Sequence, residues 1–265
     1  MDESKLTRYA TENYVDENIP PLDGYANKNN PVFTGSISLG RTEGTTVGEN
    51  SFAIGDAVNA SGDFSHAEGW FSKALGVCSH AEGSSTTASG DISHAEGEQT
   101  KASGSRSHAE GSNTTASGNS SHAEGTLTEA SSDSSHAEGY NTTASGDSSH
   151  TEGWVTTASG DRSHAEGCWT KASSENQHVQ GKFNIEDTAN KYAHIVGNGK
   201  YDTTNKTEVR SNAHTLDWEG NGWYAGKLSQ EGTPTENKDL VTKKYVDDMV
   251  GDIQNTLNTI IGGGQ

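Results

Sequence analysis

The sequence is poor in the residues that build large hydrophobic cores. Only 29% of its 265 residues are hydrophobic and 7% are aromatic, and Leu, Ile, Val and Phe together account for 35. That content is low enough for composition alone to indicate disorder. No apolar run approaches the length of a membrane span, and the segment from Met1 to Ser4 lacks the basic and apolar regions of a signal peptide. We therefore expect neither membrane insertion nor signal-directed export.

Basic residues are also scarce. The chain carries 18 Lys and Arg against 37 Asp and Glu, which gives a formal net charge of −19. Such an excess of negative charge repels phosphate groups, so nucleic acid and anionic membrane surfaces are not expected as partners.

The sequence does contain a long internal repeat. The segment Ser65-His66-Ala67-Glu68-Gly69 returns every fourteen residues until the signal fades near Gly181. The histidines in register are His66, His80, His94, His108, His122, His136, His150, His164 and His178. A fixed period of this kind is typical of a solenoid. Cys78 and Cys168 then lie more than six coils apart, roughly 30 Å at about 4.8 Å per coil, which is too far for a disulfide.

Each unit of fourteen also contains a weaker repeat of seven, because segments such as Thr86-Thr87-Ala88-Ser89-Gly90 alternate with the histidine segments. One coil is therefore expected to hold two short strands and two tight turns. Successive side chains of a strand point to opposite faces. Ser65, Ala67 and Gly69 are thus predicted to share the interior face with their counterparts in the other segment. The interior is expected to be a narrow, flattened roll without a cavity.

Two outward faces remain, and they differ in variability. The position of Thr87 changes from coil to coil, as solvent exposure permits; it is occupied elsewhere by Asn59, Lys73, Lys101, Glu129 and Lys171. The histidine face is nearly uniform, and its acidic members are Glu68, Glu82, Glu96, Glu110, Glu124, Glu138, Glu152 and Glu166. Phe52 and Ile54 take these positions in the first coil. Apolar residues there predict burial, so we infer that the chain associates with copies of itself through this face.

The segment Ser51-Phe52-Ala53-Ile54-Gly55, followed by Ala-x-Gly steps every seven residues, resembles the YadA-like heads of trimeric autotransporter adhesins. The resemblance covers residues 44–181 and implies a mainly β fold, a left-handed parallel β-roll in a side-by-side or intertwined homotrimer. In that family the positions of Phe52 and Ile54 face the trimer interior. This chain differs in placing His and Glu there in eight coils, so the resemblance carries over the trimeric roll but no adhesin ligand.

The flanking segments are expected to hold the rolls together. Residues 1–29 are predicted to form an N-terminal helix and attachment region, because Leu6, Tyr9, Tyr14, Val15 and Ile19 are spaced as on one helix face. Residues 30–43 are predicted to form a strand collar, and their Asn-Pro-Val-Phe-Thr-Gly phrase resembles segments of phage tail fibres.

After the roll, strands are expected around Tyr192, Thr215 and Trp223, separated by Asn/Gly turns, so residues 182–236 are predicted to form a small β cap. The sequence of this cap resembles a module of phage structural proteins. Residues 237–265 are predicted to form a coiled-coil helix. The apolar positions with three–four spacing are Val246, Met249, Val250, Ile253, Leu257, Ile260 and Ile261.

These resemblances imply a homotrimeric fibre or spike of a bacteriophage virion, assembled in the host cytoplasm and used to adhere to the host surface. Its partners would be its own copies, a baseplate, tail or capsid protein, and a bacterial surface glycan. A head fibre or capsid decoration protein is the alternative within this class. The exposed aromatic residues Trp70, Phe71, Tyr140, Trp154 and Trp169 are candidates for receptor contact by stacking on sugar rings, or for contact between chains at the trimer seam.

An enzyme is not expected, because Ser-His-Ala-Glu recurs in equivalent surroundings, whereas catalysis needs one distinct constellation. The alternative from another class is a self-processing phage peptidase, with autoproteolysis near Ser211 or Asp217. No cofactor is expected. A calcium β-roll is not indicated, since the Gly-Gly-x-Gly-x-Asp signature is absent and Asp63 and Asp91 are isolated turn residues. Interruptions such as Lys101 and Glu129 also argue against an ice-binding threonine array.

The histidine column leaves two arrangements open. Three chains would bring three imidazoles and three carboxylates together in each coil, and burial of unpaired charge is costly. Each layer is therefore expected to be a closed hydrogen-bond network or a metal site. With one Glu per His in eight coils, we expect the network in its charge-assisted form, in which each glutamate raises the pKa of its histidine.

Overall fold

The computed structural model describes residues 36–41, 45–226 and 243–262 of the chain. These residues form a parallel β-solenoid of about ten turns with fourteen-residue coils, followed by a short antiparallel extension and one helix. The prediction of a mainly β solenoid from the repeat is confirmed. Among the described residues, no helix combines the length and apolar character that a membrane crossing requires.

The solenoid has two sheets, one of longer strands and one of two-residue strands. The longer strands are β2 (Phe52–Ala60), β3 (His66–Trp70), β5 (His80–Ser84), β7 (His94–Glu98), β9 (His108–Ser112), β11 (His122–Thr126), β13 (His136–Tyr140), β15 (His150–Trp154), β17 (His164–Cys168) and β19 (His178–Lys182). The short strands are β4 (Lys73–Ala74), β6 (Thr87–Ala88), β8 (Lys101–Ala102), β10 (Thr115–Ala116), β12 (Glu129–Ala130), β14 (Thr143–Ala144), β16 (Thr157–Ala158) and β18 (Lys171–Ala172).

The strands pair in parallel with a register that follows the repeat. His66 lies opposite His80 and Glu68 opposite Glu82, so identical side chains stack along the solenoid. Phe52 lies opposite His66, as the sequence predicts, and starts the same column. Strand β1 (Ile37–Arg41) pairs in parallel with β2 and adds one further strand to the sheet.

Small side chains fill the interior. Ala67 and Ala88 are fully buried, and so is Thr86. The hydroxyl of Ser93 donates to the carbonyl of Gly90 at 2.6 Å, which satisfies one polar group inside the roll. Because the interior holds mainly Ala, Ser and Thr, the two sheets lie close together and bury little apolar area per coil.

One predicted interior position is wrong. Gly69 and its equivalents are exposed rather than buried. Gly69 has φ of +103°, which breaks the alternation of the strand and turns the backbone outward. A Cβ atom at this position would lie 2.1 Å from the carbonyl oxygen of Gly83 in the next coil, so only glycine fits.

The turns repeat every seven residues with a left-handed residue that is not glycine, for example Phe71 (φ +56°), Cys78 (φ +55°) and Ile92 (φ +61°). The amide of each such residue donates to a carbonyl in the preceding coil, as Ile92 does to Val77 at 2.8 Å. Asp91 adds a second bond, because its carboxylate accepts from the Val77 amide at 2.9 Å. The turns are therefore part of the ladder between coils.

The longer-strand sheet continues beyond the repeat. Strand β20 (Tyr192–Asn198) pairs in parallel with β19, after which β23 (Asn212–Asp217) and β24 (Gly222–Tyr224) add in antiparallel order. These three strands confirm those predicted around Tyr192, Thr215 and Trp223. A hairpin of β21 (Lys200–Asp202) and β22 (Thr207–Val209) was not predicted.

Helix α1 spans Lys243–Gly262 and confirms the predicted C-terminal helix. The predicted N-terminal helix in residues 1–29 lies outside the described residues, as does most of the predicted collar; β1 is the described part of that collar.

Candidate functional site: the histidine and glutamate face

The outward side chains of the longer strands form the histidine and glutamate face. Its nine in-register histidines form a column of parallel rings. Neighbouring ring centroids, such as those of His80 and His94, are 4.7 Å apart with an angle of 3° between the ring planes. That distance is the spacing of hydrogen-bonded strands. The stack is therefore a direct consequence of placing the same residue at the same position in every coil.

The column extends further than the repeat indicates. His194 contacts His178 at 5.2 Å, His214 contacts His194 at 5.6 Å, and Tyr224 stacks on His214 at 4.5 Å. Phe52 covers the first histidine edge-on at 4.9 Å. The stack thus begins and ends on a residue that carries no charge.

His194 and His214 were missed by the sequence analysis. His194 follows His178 after sixteen residues instead of fourteen, and His214 lies on an antiparallel strand. A signal for His194 was available, because His194-Ile195-Val196-Gly197 repeats the order of His178-Val179-Gln180-Gly181. No periodic signal marks His214.

The glutamates form a second column beside the imidazoles. In six coils a histidine Nε2 atom lies 3.6–3.9 Å from a carboxylate oxygen of its own coil, as in His66 and Glu68. His164 and His178 instead approach the glutamates of the preceding coil, at 3.9 and 3.5 Å. These histidine–glutamate separations exceed the usual length of a hydrogen bond.

All nine Nε2 atoms of the repeat histidines are buried and have no hydrogen-bond partner within the chain. The side chains themselves are half-exposed; that of His108 has a relative accessibility of 36%. The ring edge that carries Nε2 therefore faces the glutamate column, and the rest of the ring faces solvent. Buried polar atoms without partners are rare in folded proteins; in this chain they comprise the histidine column and interior hydroxyls such as those of Thr86 and Thr100.

The charge-assisted pairing expected between chains stays a prediction, and the shifts within one chain have the opposite direction. Desolvation by burial lowers the pKa of His80, and the neighbouring imidazoles of His66 and His94 lower it further. The pKa values shifted downward for the same first cause are those of His80, His108, His136, His150, His164 and His194. Stacking places an imidazole on each side of the repeat histidines except His66, whose other neighbour is Phe52.

Two glutamates of the column, Glu96 and Glu138, have raised pKa values. A hydrogen bond with Glu82 raises the pKa of Glu96 to about 7, while the same bond lowers the pKa of Glu82. The pKa of Glu138 is likewise raised to about 7, and the largest cause is its hydrogen bond with Glu152. Stacked carboxylates one strand spacing apart repel each other, so protons are retained between them.

A shallow groove runs along the glutamate column. One part, of about 520 Å³, is lined by Glu68, Glu82 and Glu96 and by the exposed glycines beside them, with Ile54 at its end. A second part, of about 350 Å³, continues from Glu124 to Gly181. Because glycine has no side chain, the backbone of the solenoid forms the floor of this groove.

The candidate receptor-contact residues fall into separate groups. Trp70 and Phe71 make an edge contact at 4.7 Å and are 52% and 47% exposed. Tyr140 and Trp154 form a second edge contact at 6.3 Å. Trp169 is half-buried and stacks on Phe183 at 5.7 Å. The structure therefore provides two exposed aromatic pairs, whereas Trp169 packs within the chain.

The residues considered for self-processing lie in the β cap. Ser211 and Asp217 both line a pocket of about 560 Å³ with Tyr192 and Trp223. The Ser211 hydroxyl bonds to the Asn198 side chain. The Asp217 carboxylate accepts from the amides of Glu219 and Asn221. The Asp217 bonds are those of a surface turn. Ser211 and Asp217 therefore bond to other residues rather than to each other.

No family model matches the sequence, and no curated protein matches it.

Proposed function

We propose that the protein is a structural rod that assembles as a homotrimer. The observation that carries this proposal is the unpaired apolar surface of helix α1. Its apolar side chains are all exposed, from 44% for Val246 to 78% for Ile261. In proteins, most of the stability of a helix comes from packing of its apolar face rather than from intrinsic propensity. An apolar face on such a helix favours association with other helices.

The spacing of the apolar residues on helix α1 favours a coiled coil of more than two helices. Val246, Val250, Ile253, Leu257 and Ile260 are separated by alternating steps of four and three residues, which is the a and d pattern of a coiled coil. Leu257 then occupies an a position, and Ile253 and Ile260 occupy d positions. Leu at a with Ile at d favours trimers or tetramers over dimers.

The solenoid supports the same assembly. Its interior is too small to supply much hydrophobic stabilisation, and Ile54 exposes 39% of its surface at the start of the glutamate column. In the proposed trimer the histidine and glutamate faces of three left-handed rolls lie around the threefold axis, as the resemblance to YadA-like heads implies. The glycine floor of the groove would permit a close approach of the neighbouring chain.

We further propose that this rod is a fibre or spike of a bacteriophage virion. The support is sequence resemblance. The segment Asn30-Pro31-Val32-Phe33-Thr34-Gly35 and the sequence of the cap both resemble those of phage structural proteins. Immunogold labelling of virions from a host that expresses the chain tests this. Label on the tail supports the fibre, label on the capsid supports the head-fibre alternative, and virions without label contradict both.

Host adhesion is proposed to use the exposed aromatic pairs. Trp154 exposes 55% and Tyr140 47% of their surfaces, and such rings stack on the apolar faces of sugars. A double variant, Tyr140→Ser with Trp154→Ser, is expected to reduce binding to host cells at least tenfold while the trimer stays intact. The control is the pair of half-buried Trp169 and buried Phe183, whose ring contact is internal. Unchanged binding by an intact trimer would assign Tyr140 and Trp154 to the seam between chains.

A further inference from the structure

We propose that the histidine and glutamate face binds divalent transition-metal ions of the Zn²⁺ type, each held by side chains of two successive coils. This goes beyond the proposed structural role. It does not depend on the trimer, because all the ligands of one ion belong to one chain.

The ligand atoms are already grouped. Within the described residues, five sets of three side chains place one ligand atom each within 4.8 Å of the other two. The sets are His66, Glu68 and His80; His94, Glu96 and His108; Glu110, His122 and Glu124; His136, Glu138 and His150; and Glu152, His164 and Glu166. No side chain belongs to two sets, so the sets can be filled at the same time.

The distances between ligand atoms fit a shared ion better than a direct bond. In the set of His94, Glu96 and His108, Nε2 of His94 lies 3.7 Å from the Glu96 oxygen, which is beyond hydrogen-bond length. Two ligands at about 2.1 Å from one zinc ion, at tetrahedral to trigonal angles, lie roughly 3.4–3.7 Å apart. A cation between the two atoms would therefore require little movement of this pair.

The unpartnered Nε2 atoms point to the same ligand. Each is buried in the isolated chain and has no hydrogen-bond partner there. A small cation can occupy that position. Imidazole nitrogen together with carboxylate oxygen is a donor set for Zn²⁺, Ni²⁺ or Cu²⁺, whereas Mg²⁺ and Ca²⁺ prefer oxygen alone.

The charge of this face suits a cation, because eight glutamates lie in one column. Carboxylate repulsion along the glutamate column favours any positive charge placed between the side chains.

One rearrangement is needed. The rings of His94 and His108 are nearly parallel, at 11°, so their lone pairs point side by side. One imidazole of each set must turn about its side-chain torsions to face a shared ion. The half-exposed rings have solvent on one side in a single chain, so this rotation meets little steric resistance before the chains associate. Metal binding is therefore expected to disturb the ring stack, which histidine ring signals in NMR would detect.

The test is titration of the metal-free full chain with Zn²⁺ in competition with a chromophoric chelator. We expect several Zn²⁺ per chain, up to five, a rise in melting temperature with Zn²⁺ concentration, and no comparable effect of Mg²⁺. Co²⁺ bound in place of Zn²⁺ should absorb visible light, with the spectrum expected of a low-symmetry site of nitrogen and oxygen ligands.

Two matched double variants locate the site. His94→Gln with His108→Gln removes two ligands of one set and should lower the stoichiometry by about one ion per chain. His194→Gln with His214→Gln changes two stacked histidines outside the five sets and should leave it unchanged. Circular dichroism verifies that both remain folded. Absence of Zn²⁺ binding, uptake that Mg²⁺ matches, or equal stoichiometry in both variants would overturn the metal site. None of these results would alter the oligomeric state on which the structural role is judged.

Discussion

At the scale of single residues, the exposed glycine column sets the distance between coils. Gly83 has φ of +106°, and a Cβ atom there would lie 2.2 Å from the carbonyl oxygen of Gly97. Neither the backbone conformation nor the available space accepts a side chain. The same residue type recurs at this position in every coil from Gly55 to Gly181, which is what a contact between identical backbones requires.

We predict that Gly83→Ala destabilises the roll by more than ~2 kcal/mol, because the clash is with backbone that belongs to the ladder and cannot move alone. Thermal unfolding monitored by circular dichroism measures the change. Ser89→Ala on the outward face of the short strands is the control and should shift the free energy of unfolding by less than about 0.5 kcal/mol. Equal effects of the two variants would refute the steric argument.

The turn aspartates act as structural acceptors. The Asp91 carboxylate accepts from the Val77 amide at 2.9 Å, and Asn119 makes the equivalent bond to the Ser105 amide at 3.2 Å. Asp91→Ala is expected to cost about 1 kcal/mol, since it leaves the amide without this acceptor. Asp91→Asn keeps the acceptor and should be nearly neutral. The account of these turns is wrong if the two variants unfold at the same denaturant concentration.

At the scale of secondary-structure elements, the repeat predicted the strands well and the turns poorly. Stacking of identical residues follows from the fourteen-residue period alone, and so does the pairing of Phe52 with His66. The left-handed turn residues could not be predicted, because positions such as Ile92 carry side chains that disfavour this conformation. The bond from the Ile92 amide to the preceding coil stabilises what the local sequence does not.

The position of the histidine column was predicted from the repeat, whereas the charge-assisted pairing expected between chains stays a prediction. The sequence shows one glutamate for each of eight histidines, which favours an ion pair. In a single chain, burial and the two adjacent imidazoles lower the pKa of His108 more than the glutamates raise it. Alternation also misplaced Gly69, because a φ of +103° is not visible in a residue pattern.

For helix α1 we predict that Ile253→Asp dissociates the assembly or lowers its association constant at least a hundredfold. A charge at a buried d position would be desolvated without a partner in the coiled coil. Asn255→Asp adds the same charge two residues later, on the outer side of the proposed coiled coil, and should leave the assembly intact. Sedimentation velocity of both variants at matched concentration distinguishes the two cases. Dissociation of both, or of neither, would contradict the proposed helix interface.

At the scale of the whole molecule, the histidine column makes stability depend on pH. Histidines whose folded pKa is lowered contribute stability that is complete above the unfolded value of about 6.5 and is lost as pH falls below it. His80, His108 and His136 are among this group. Glu96 and Glu138, whose pKa values are raised to about 7, act in the opposite direction, because they take up protons in the folded state as pH falls. The pKa of Glu82 is lowered, which affects stability only below its ordinary value and does not offset these two carboxyls near neutral pH.

We therefore predict that a variant with Glu96→Gln and Glu138→Gln, which lacks the two opposing carboxyls, has a melting temperature that falls steadily between about pH 7.5 and pH 5.5 with a chelator present. Replacing three histidines with lowered pKa values, His108, His136 and His150, with Gln in that variant should flatten this dependence. A melting temperature that rises on acidification would show that the assembled protein pairs its histidines with glutamates and raises their pKa values.

The central claim is that three chains form one rod, and the molar mass of the full-length protein in solution tests it most directly. Light scattering coupled to size-exclusion chromatography at micromolar concentration is predicted to give three times the mass of one chain, with an elution volume earlier than that of a globular protein of the same mass. A mass of one chain at that concentration would contradict the account.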